Sequence, residues 1–239
     1  MPNIQVCLSP ALFPFQTNEN ASVVIVDILR ATSSICEAFR NGVEKIIPVG
    51  TVEETLAYKS NGYVVAAERD GIVLDFADFG NSPDNFTREM VNGRSIAYST
   101  TNGTKTIHVA SSCKSVIIGS FLNISAVCDW LINAGDDVII LCAGWKNRVN
   151  IEDSIYAGAV VERLLSTSKY VTDCDSAKIV LSMWQNNCND LTRFVDLSAQ
   201  KKRLKKNKLD GCIGYCLSMD TTSIVPVFDG NFLVPNKKE

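Results

Sequence analysis

Several short segments of this chain carry side chains suited to holding a phosphate and a hard cation. The first is Asp27-Ile28-Leu29-Arg30-Ala31-Thr32-Ser33-Ser34, which sets a carboxylate at the end of a hydrophobic run, a guanidinium three residues on, and then three hydroxyls. Carboxylate oxygens ligate hard divalent ions, and a guanidinium forks onto phosphate or carboxylate oxygens. Small polar residues at a helix start turn backbone N–H groups toward an anion. The second segment, Glu68-Arg69-Asp70-Gly71, repeats the pairing of acid and base. Asp78-Phe79-Gly80-Asn81-Ser82-Pro83 adds a glycine followed by small polar groups. Thr100-Thr101-Asn102-Gly103-Thr104 is the strongest anion-cradle pattern of all, although it lacks the Gly-x4-Gly-Lys-Ser/Thr spacing of the common phosphate loop. Glu152 and Asp153 open a helix just beyond Cys142-Ala143-Gly144.

Taken singly, each segment has a plainer use. Asp27 and Ser33 can cap a helix while Arg30 forms a salt bridge, and this reading weighs evenly with the chemical one. Glu68 to Gly71 reads as a surface turn, Gly80 to Pro83 as another, and Glu152 with Asp153 as partners of a helix dipole. The case for a site rests on recurrence, because matching groups stand at the ends of successive strands.

Those strands are legible as short β-branched runs: Ser22 to Val26, Lys45 to Val49, Tyr63 to Ala67, Ser95 to Ser99, Ser115 to Ile118 and Val138 to Cys142. Helical spacing is expected over Thr32 to Asn41, from Thr51 onward with a capping-box pattern, over Gly103 to Ala110, Ser125 to Asn133 and Glu152 to Leu165, then through Asp175 to Asn186 and Leu191 to Lys208. Alternation of this kind predicts an α/β protein with a largely parallel sheet covered on both faces. In such a sheet ligands bind beyond the carboxyl ends of the strands, so the acid-bearing loops are expected along one edge. Ser223 to Phe228 contains Pro226 and reads as an edge strand.

The chain has 239 residues and a formal net charge of −3, and is read as a single domain, residues 1–239. That charge gives no general attraction for nucleic acid or an anionic membrane, so an anionic ligand needs a local positive site. The basic run from Lys201 to Lys208 is read as a solvated helix end. There is one histidine, His108, which excludes a His-rich zinc site and is expected to be a packing or surface residue. Nine cysteines without a disulfide rhythm, and no basic start followed by an apolar run, lead to the expectation of a cytoplasmic protein with reduced thiols. No stretch has the length of a membrane span. Cys142 lacks a histidine nearby in sequence and is not expected to act as a nucleophile. A homodimer is the base-rate expectation for assembly.

At these residues the chain resembles the 2-phosphosulfolactate phosphatase family. The resemblance is carried by Asp27 to Ile35, Glu68-Arg69, Gly80 to Pro83, Thr100 to Thr104, Cys142 to Gly144, and Glu152-Asp153 with Ala157-Gly158, in the family's order between about residue 22 and about residue 160. It implies a three-layer α/β/α sandwich with a mixed sheet, a requirement for Mg²⁺, and hydrolysis of 2-phosphosulfolactate, a small anionic organic phosphate of coenzyme M biosynthesis. Departures stand at Ala67, where the family has glycine, at Phe76-Ala77, where it has Gly-Phe, and at Cys212, where it has an acid.

On this reading Asp27, with Glu68 and with Asp153 or Glu152, holds Mg²⁺. Arg30 and the loop Thr100, Thr101, Asn102, Gly103 and Thr104 take the phosphoryl charge, with Asp27, Arg30 and Glu68 as the catalytic set. Arg69, Asn81 and Ser82 orient the carboxylate or sulfonate end. Direct attack by water is preferred to attack by Asp27, because an Asp-x-Asp pattern would need an acid where Leu29 stands. The rivals are a phosphatase for another phosphorylated hydroxy acid and a non-catalytic anion-binding module.

Overall fold

The computed structural model describes residues 1–16 and 18–236. Ten strands, β1 (Ile4–Cys7), β2 (Ser22–Val26), β3 (Lys45–Pro48), β4 (Val64–Arg69), β5 (Ile72–Val73), β6 (Ser95–Ser99), β7 (Ser115–Gly119), β8 (Val138–Cys142), β9 (Val225–Phe228) and β10 (Leu233–Asn236), form one sheet in the order β1-β8-β2-β7-β9-β10-β3-β6-β4-β5. Around it lie α1 (Ala31–Arg40), α2 (Val52–Ser60), α3 (Arg88–Val91), α4 (Gly103–Val109), α5 (Ile124–Ala134), α6 (Ile151–Ser166), α7 (Asp175–Asn187), α8 (Leu191–Val195), α9 (Ala199–Lys206) and α10 (Ile213–Cys216). Among the described residues no helix is long and apolar enough to cross a membrane.

The alternation of side chains along β2 shows why the sheet needs helices on both faces. Val24 and Val26 join a core with Ile140, Phe121, Ile155, Val160 and Trp184, beneath α5, α6 and α7. Val23 and Ile25 point the other way, into a core with Ile35, Phe39, Ile96 and Tyr98 beneath α1. All five residues of β2 are buried, as the unbroken β-branched run requires. The result is the three-layer α/β/α sandwich with a mixed sheet that the resemblance implies. A third, smaller cluster of Ile47, Val49, Val65, Ala67 and Ala97 packs partly against Tyr58 of α2.

The sheet consists of two parallel blocks. Strands β1, β8, β2 and β7 are parallel to one another, as are β3, β6 and β4. Between them β9 and β10 form an antiparallel hairpin, and each also runs antiparallel to its outer neighbour. Three reversals separate the blocks, so their strands run in opposite senses along the ladder. This corrects the expectation of a single shared carboxyl edge. The segments after β2 and β6 nevertheless meet at Asp27 and Gly103, and both blocks contribute to one core: Ile25, Ile118 and Leu141 from the first, Ala66, Ile96 and Tyr98 from the second.

Three further expectations are corrected. β9 is an internal strand despite Pro226. Its ladder with β7 covers only Val227 and Phe228, and Pro226 faces Pro235 across the hairpin, so its missing N–H is not required by β7. The helix expected over Leu191 to Lys208 is two helices, α8 and α9. Ser198 starts the second by accepting from the Lys201 amide. β1, β5 and β10 lie in segments where no strand was expected, and the two that are two or four residues long at the sheet's rims, β5 and β1, give periodicity little to register.

Candidate active site

Asp27 follows the last residue of β2 and is buried. Burial raises its proton affinity well above the carboxylate range, and the charges of Asp153, Glu68 and Glu152 raise it further. Its one weak compensation is the Ala31 amide, 3.4 Å from Oδ1. The neighbouring loop comes very close. A Cβ on Gly103, the first residue of α4, would stand 2.7 Å from the Ala31 Cβ and 3.2 Å from Asp27 Oδ2. Only glycine allows that approach. Asp27 and the Thr100 to Thr104 loop therefore share one wall.

Arg30 is 4% exposed and is in no ion pair among the described residues. Its Nη2 donates to Asn81 Oδ1 at 2.9 Å and its Nη1 to Leu209 O at 3.4 Å. Nη1 also lies 3.8 Å from Cys212 Sγ. A hydrogen bond from Cys216, opposed by burial and assisted by Ser82 and Arg30, lowers the Cys212 thiol to about 6. A thiol whose ionised form is favoured thus stands beside Arg30, at the position where the resemblance leads one to expect an acid.

The other three acids differ in how much of their hydrogen-bonding capacity is spent. Glu68 accepts from the Thr101 amide at 2.8 Å, the Thr101 hydroxyl and the Gly71 amide at 2.6 Å, tying the loop after β4 to the loop after β6. Asp153 accepts from the Ile28 amide at 2.9 Å, the Gly144 amide at 3.0 Å and Asn150 Nδ2 at 2.9 Å, joining the ends of β2 and β8 to the start of α6. These bonds restrain the effect of burial, which holds Asp153 at about 6. Glu152 is 1% exposed, and neither carboxylate oxygen has a hydrogen-bond partner of good geometry. Burial and then the Asp153 charge push it up to about 8, against the pull of Arg203 and the nearby Ser198 hydroxyl.

One cavity gathers much of this chemistry, lined by Asp27, Arg30, Glu68, Asn81 and Asn102 among the expected residues. Other expected residues turn elsewhere. Arg69 folds back on Glu68 O at 2.7 Å and Ser99 Oγ at 2.9 Å. Ser82 faces a neighbouring groove and donates to Asp84. Thr100 and Thr104 are buried and bonded to each other, and Thr101 is engaged by Glu68. Glu152 and Asp153 do not line the cavity; Asp153 is bonded to Asn150 and Gly144, which do.

Five further lining residues were missed by sequence reasoning. Trp145, Gln200, Arg203, Leu204 and Asn207 also line the cavity. Arg203, assigned to a solvated helix end, stacks its guanidinium on Trp145 at 4.2 Å from the ring centroid and donates from Nε to Gln200 Oε1 at 2.8 Å. The usable signal was the spacing 200, 203, 204 and 207, one face of a helix. His108 meets the Pro48 carbonyl and the Phe228 ring, away from the cavity.

A small polar cavity of carboxylates and guanidiniums on an α/β/α sandwich has the groups to hold and act on a small polar ligand. The comparisons make the class specific. A family model described as 2-phosphosulpholactate phosphatase matches residues 7–231. A probable 2-phosphosulfolactate phosphatase of Clostridium botulinum (strain Eklund 17B) is 32% identical, covering 89% of this chain and 90% of its own. Proteins with the same description from Caldanaerobacter subterraneus and Clostridium kluyveri are each 34% identical, over 86% and 90% of this chain and the same shares of their own. The chain belongs to the 2-phosphosulfolactate phosphatase family, which are phosphoric monoester hydrolases.

Proposed function

We propose that the protein hydrolyses, with Mg²⁺, the phosphate monoester of a small three-carbon acid bearing further negative groups, foremost 2-phosphosulfolactate to sulfolactate and phosphate, the step the family implies in coenzyme M biosynthesis. The observation that carries this reading is that Asp27 and Arg30, which is in no ion pair among the described residues, line one cavity, while the buried Glu152, whose two oxygens are unused, lies near enough to raise the proton affinity of Asp27. Nine free thiols support a reducing, cytoplasmic setting.

The donor set suits Mg²⁺ in chemistry, since all four acids offer hard oxygens. Among the described residues no three or more of them are grouped as a ready-made cation cage. Mg²⁺ commonly keeps several waters and takes only one or two carboxylates together with substrate phosphate, and Asp27, on the cavity wall with its oxygens almost unspent, meets that demand. When bound, the ion would polarise the phosphoryl group and offset its charge. Arg30, steered by Asn81, forks onto non-bridging phosphoryl oxygens. Glu68 and Asp153 keep the loops around Asp27 in register through backbone amides. Water is favoured as the attacking group, because Leu29 stands where an aspartyl-phosphate mechanism would need its second acid.

A second reading, a different phosphorylated hydroxy acid as substrate, is favoured by one observation: Cys212, not a carboxylate, sits against Arg30. Phosphate release from phosphosulfolactate, phospholactate and phosphoglycerate, with Mg²⁺ and with a chelator, tests both. Mg²⁺-dependent release with a preference for phosphosulfolactate is expected. A preference for another ester would install the second reading, and no release from any would refute the phosphatase assignment.

A further inference from the structure

Helix α9 lies over the cavity and brings Gln200, Arg203, Leu204 and Asn207 to it on one face. The face is anchored at both ends. Gln200 Nε2 donates to Leu29 O at 2.8 Å, in the loop that carries Asp27 and Arg30. Asn207 reaches the loop after β4, where its Nδ2 would stand 3.1 Å from a Cβ placed on Gly71. Between these anchors Arg203 is held flat by Trp145 and by Gln200 through Nε. Its two remaining nitrogens, Nη1 and Nη2, make no hydrogen bond among the described residues, and it is in no ion pair there. A guanidinium oriented by stacking, partly desolvated and with two donor groups free is prepared for a second anion.

The cavity therefore presents two arginines from separate elements, Arg30 from the strand ends and Arg203 from the covering helix. Arg69, the other cation expected to meet the substrate, is committed to Ser99 and Glu68. We propose that Arg203, supported by Gln200 and with Asn207 beside it, receives the carboxylate- or sulfonate-bearing tail of the substrate and sets the preference for polyanionic esters. This inference rests on the reading above for the identity of the reaction, and gives Arg203 the part of a specificity residue. The alternative is that Arg203 serves only to offset the buried charge of Glu152.

Two measurements on wild type, Arg203→Met and Arg203→Lys separate these roles. The first is steady-state hydrolysis of phosphosulfolactate against p-nitrophenyl phosphate, an ester without an acidic tail. Arg203→Met is expected to raise KM for phosphosulfolactate roughly 10- to 100-fold, the loss of a charge-assisted pair, with kcat changed by less than about threefold. KM for p-nitrophenyl phosphate is expected to stay within about twofold. Arg203→Lys keeps a point charge without the fork and is expected to fall between, and it carries the test if Arg203→Met does not fold. Equal losses on both esters, or no change on either, would overturn the proposal. The second is calorimetric binding of sulfolactate, which needs no turnover. Binding to wild type and its loss in Arg203→Met uphold the subsite even if no ester is hydrolysed, in which case the phosphatase reading alone fails. Absent binding to wild type, or equal binding to the variant, ends it.

Discussion

The carboxyl ends of β2 and β4 start from the same chemistry and finish with different duties. Each sets an acid and an arginine at a strand end, Asp27 with Arg30 and Glu68 with Arg69. In the first, the carboxylate has one long contact and the guanidinium only neutral or thiol partners. In the second, the carboxylate is bonded to the amides of Gly71 and Thr101, and the guanidinium is folded onto its own strand and Ser99. A buried polar group with its bonds satisfied is structural material. One left unsatisfied is costly in isolation and is kept where a ligand completes it. Residue type nominates both loops, and hydrogen-bond accounting separates them.

Substitutions can break or sharpen this contrast. The largest effect is expected from Asp27→Asn, with phosphate release falling by roughly a thousandfold or more while the melting temperature holds or rises, since a buried carboxyl with little hydrogen-bond compensation is replaced by a neutral group of the same shape. A large drop in melting temperature with turnover retained would reverse the roles of the two loops. Arg30→Met is expected to cost about a hundredfold in kcat/KM. Glu68→Gln should show the opposite signature to Asp27→Asn. It weakens bonds that join two loops and is expected to lower stability by about 2 kcal/mol in denaturant titration, with activity falling only as the loops loosen. Arg69→Met is expected to have the smallest effect, about 1 kcal/mol or less of stability and activity within about threefold of wild type.

The acids also fix a pH dependence. Glu152 and Asp153 are raised to about 8 and about 6 from ordinary values of 4.5 and 3.8. The folded state then binds more protons than the unfolded chain over that interval. Stability of the metal-free protein is expected to be full below about pH 3.8, as far as these two groups decide it, and to fall as pH rises through 6 and then 8. Urea midpoints from pH 5 to 8.5 check the slope. Excess Mg²⁺ is expected to flatten it, because a bound cation favours the ionised acids.

Much of the fold was legible in the sequence. The β-branched runs of β2, β7 and β8 and the helical spacing of α1, α5 and α6 are strong local signals, and local signals suffice for such elements. The opposite sense of the two sheet blocks was not legible, because it is set by the β9–β10 hairpin near the far end of the chain. The strand-end acids could be named from type and position. Which of them are spent could not, since the partners of Asp153 include Ile28 and those of Glu68 include Thr101, far away in sequence. Arg203 was hidden inside a basic run whose neighbours Lys201, Lys202, Lys205 and Lys206 made it look like solvated charge. Only the packing of α9 against Trp145 gives it a direction.

The central claim, that the open acid beside β2 and not the saturated one beside β4 holds the reacting centre, is most directly tested by anomalous diffraction from crystals soaked with Mn²⁺ in place of Mg²⁺. A manganese peak within ligand distance of an Asp27 carboxylate oxygen is the expected result, lost in Asp27→Asn crystals. A peak on Glu68 with none at Asp27, or one bound outside this cavity, would contradict it.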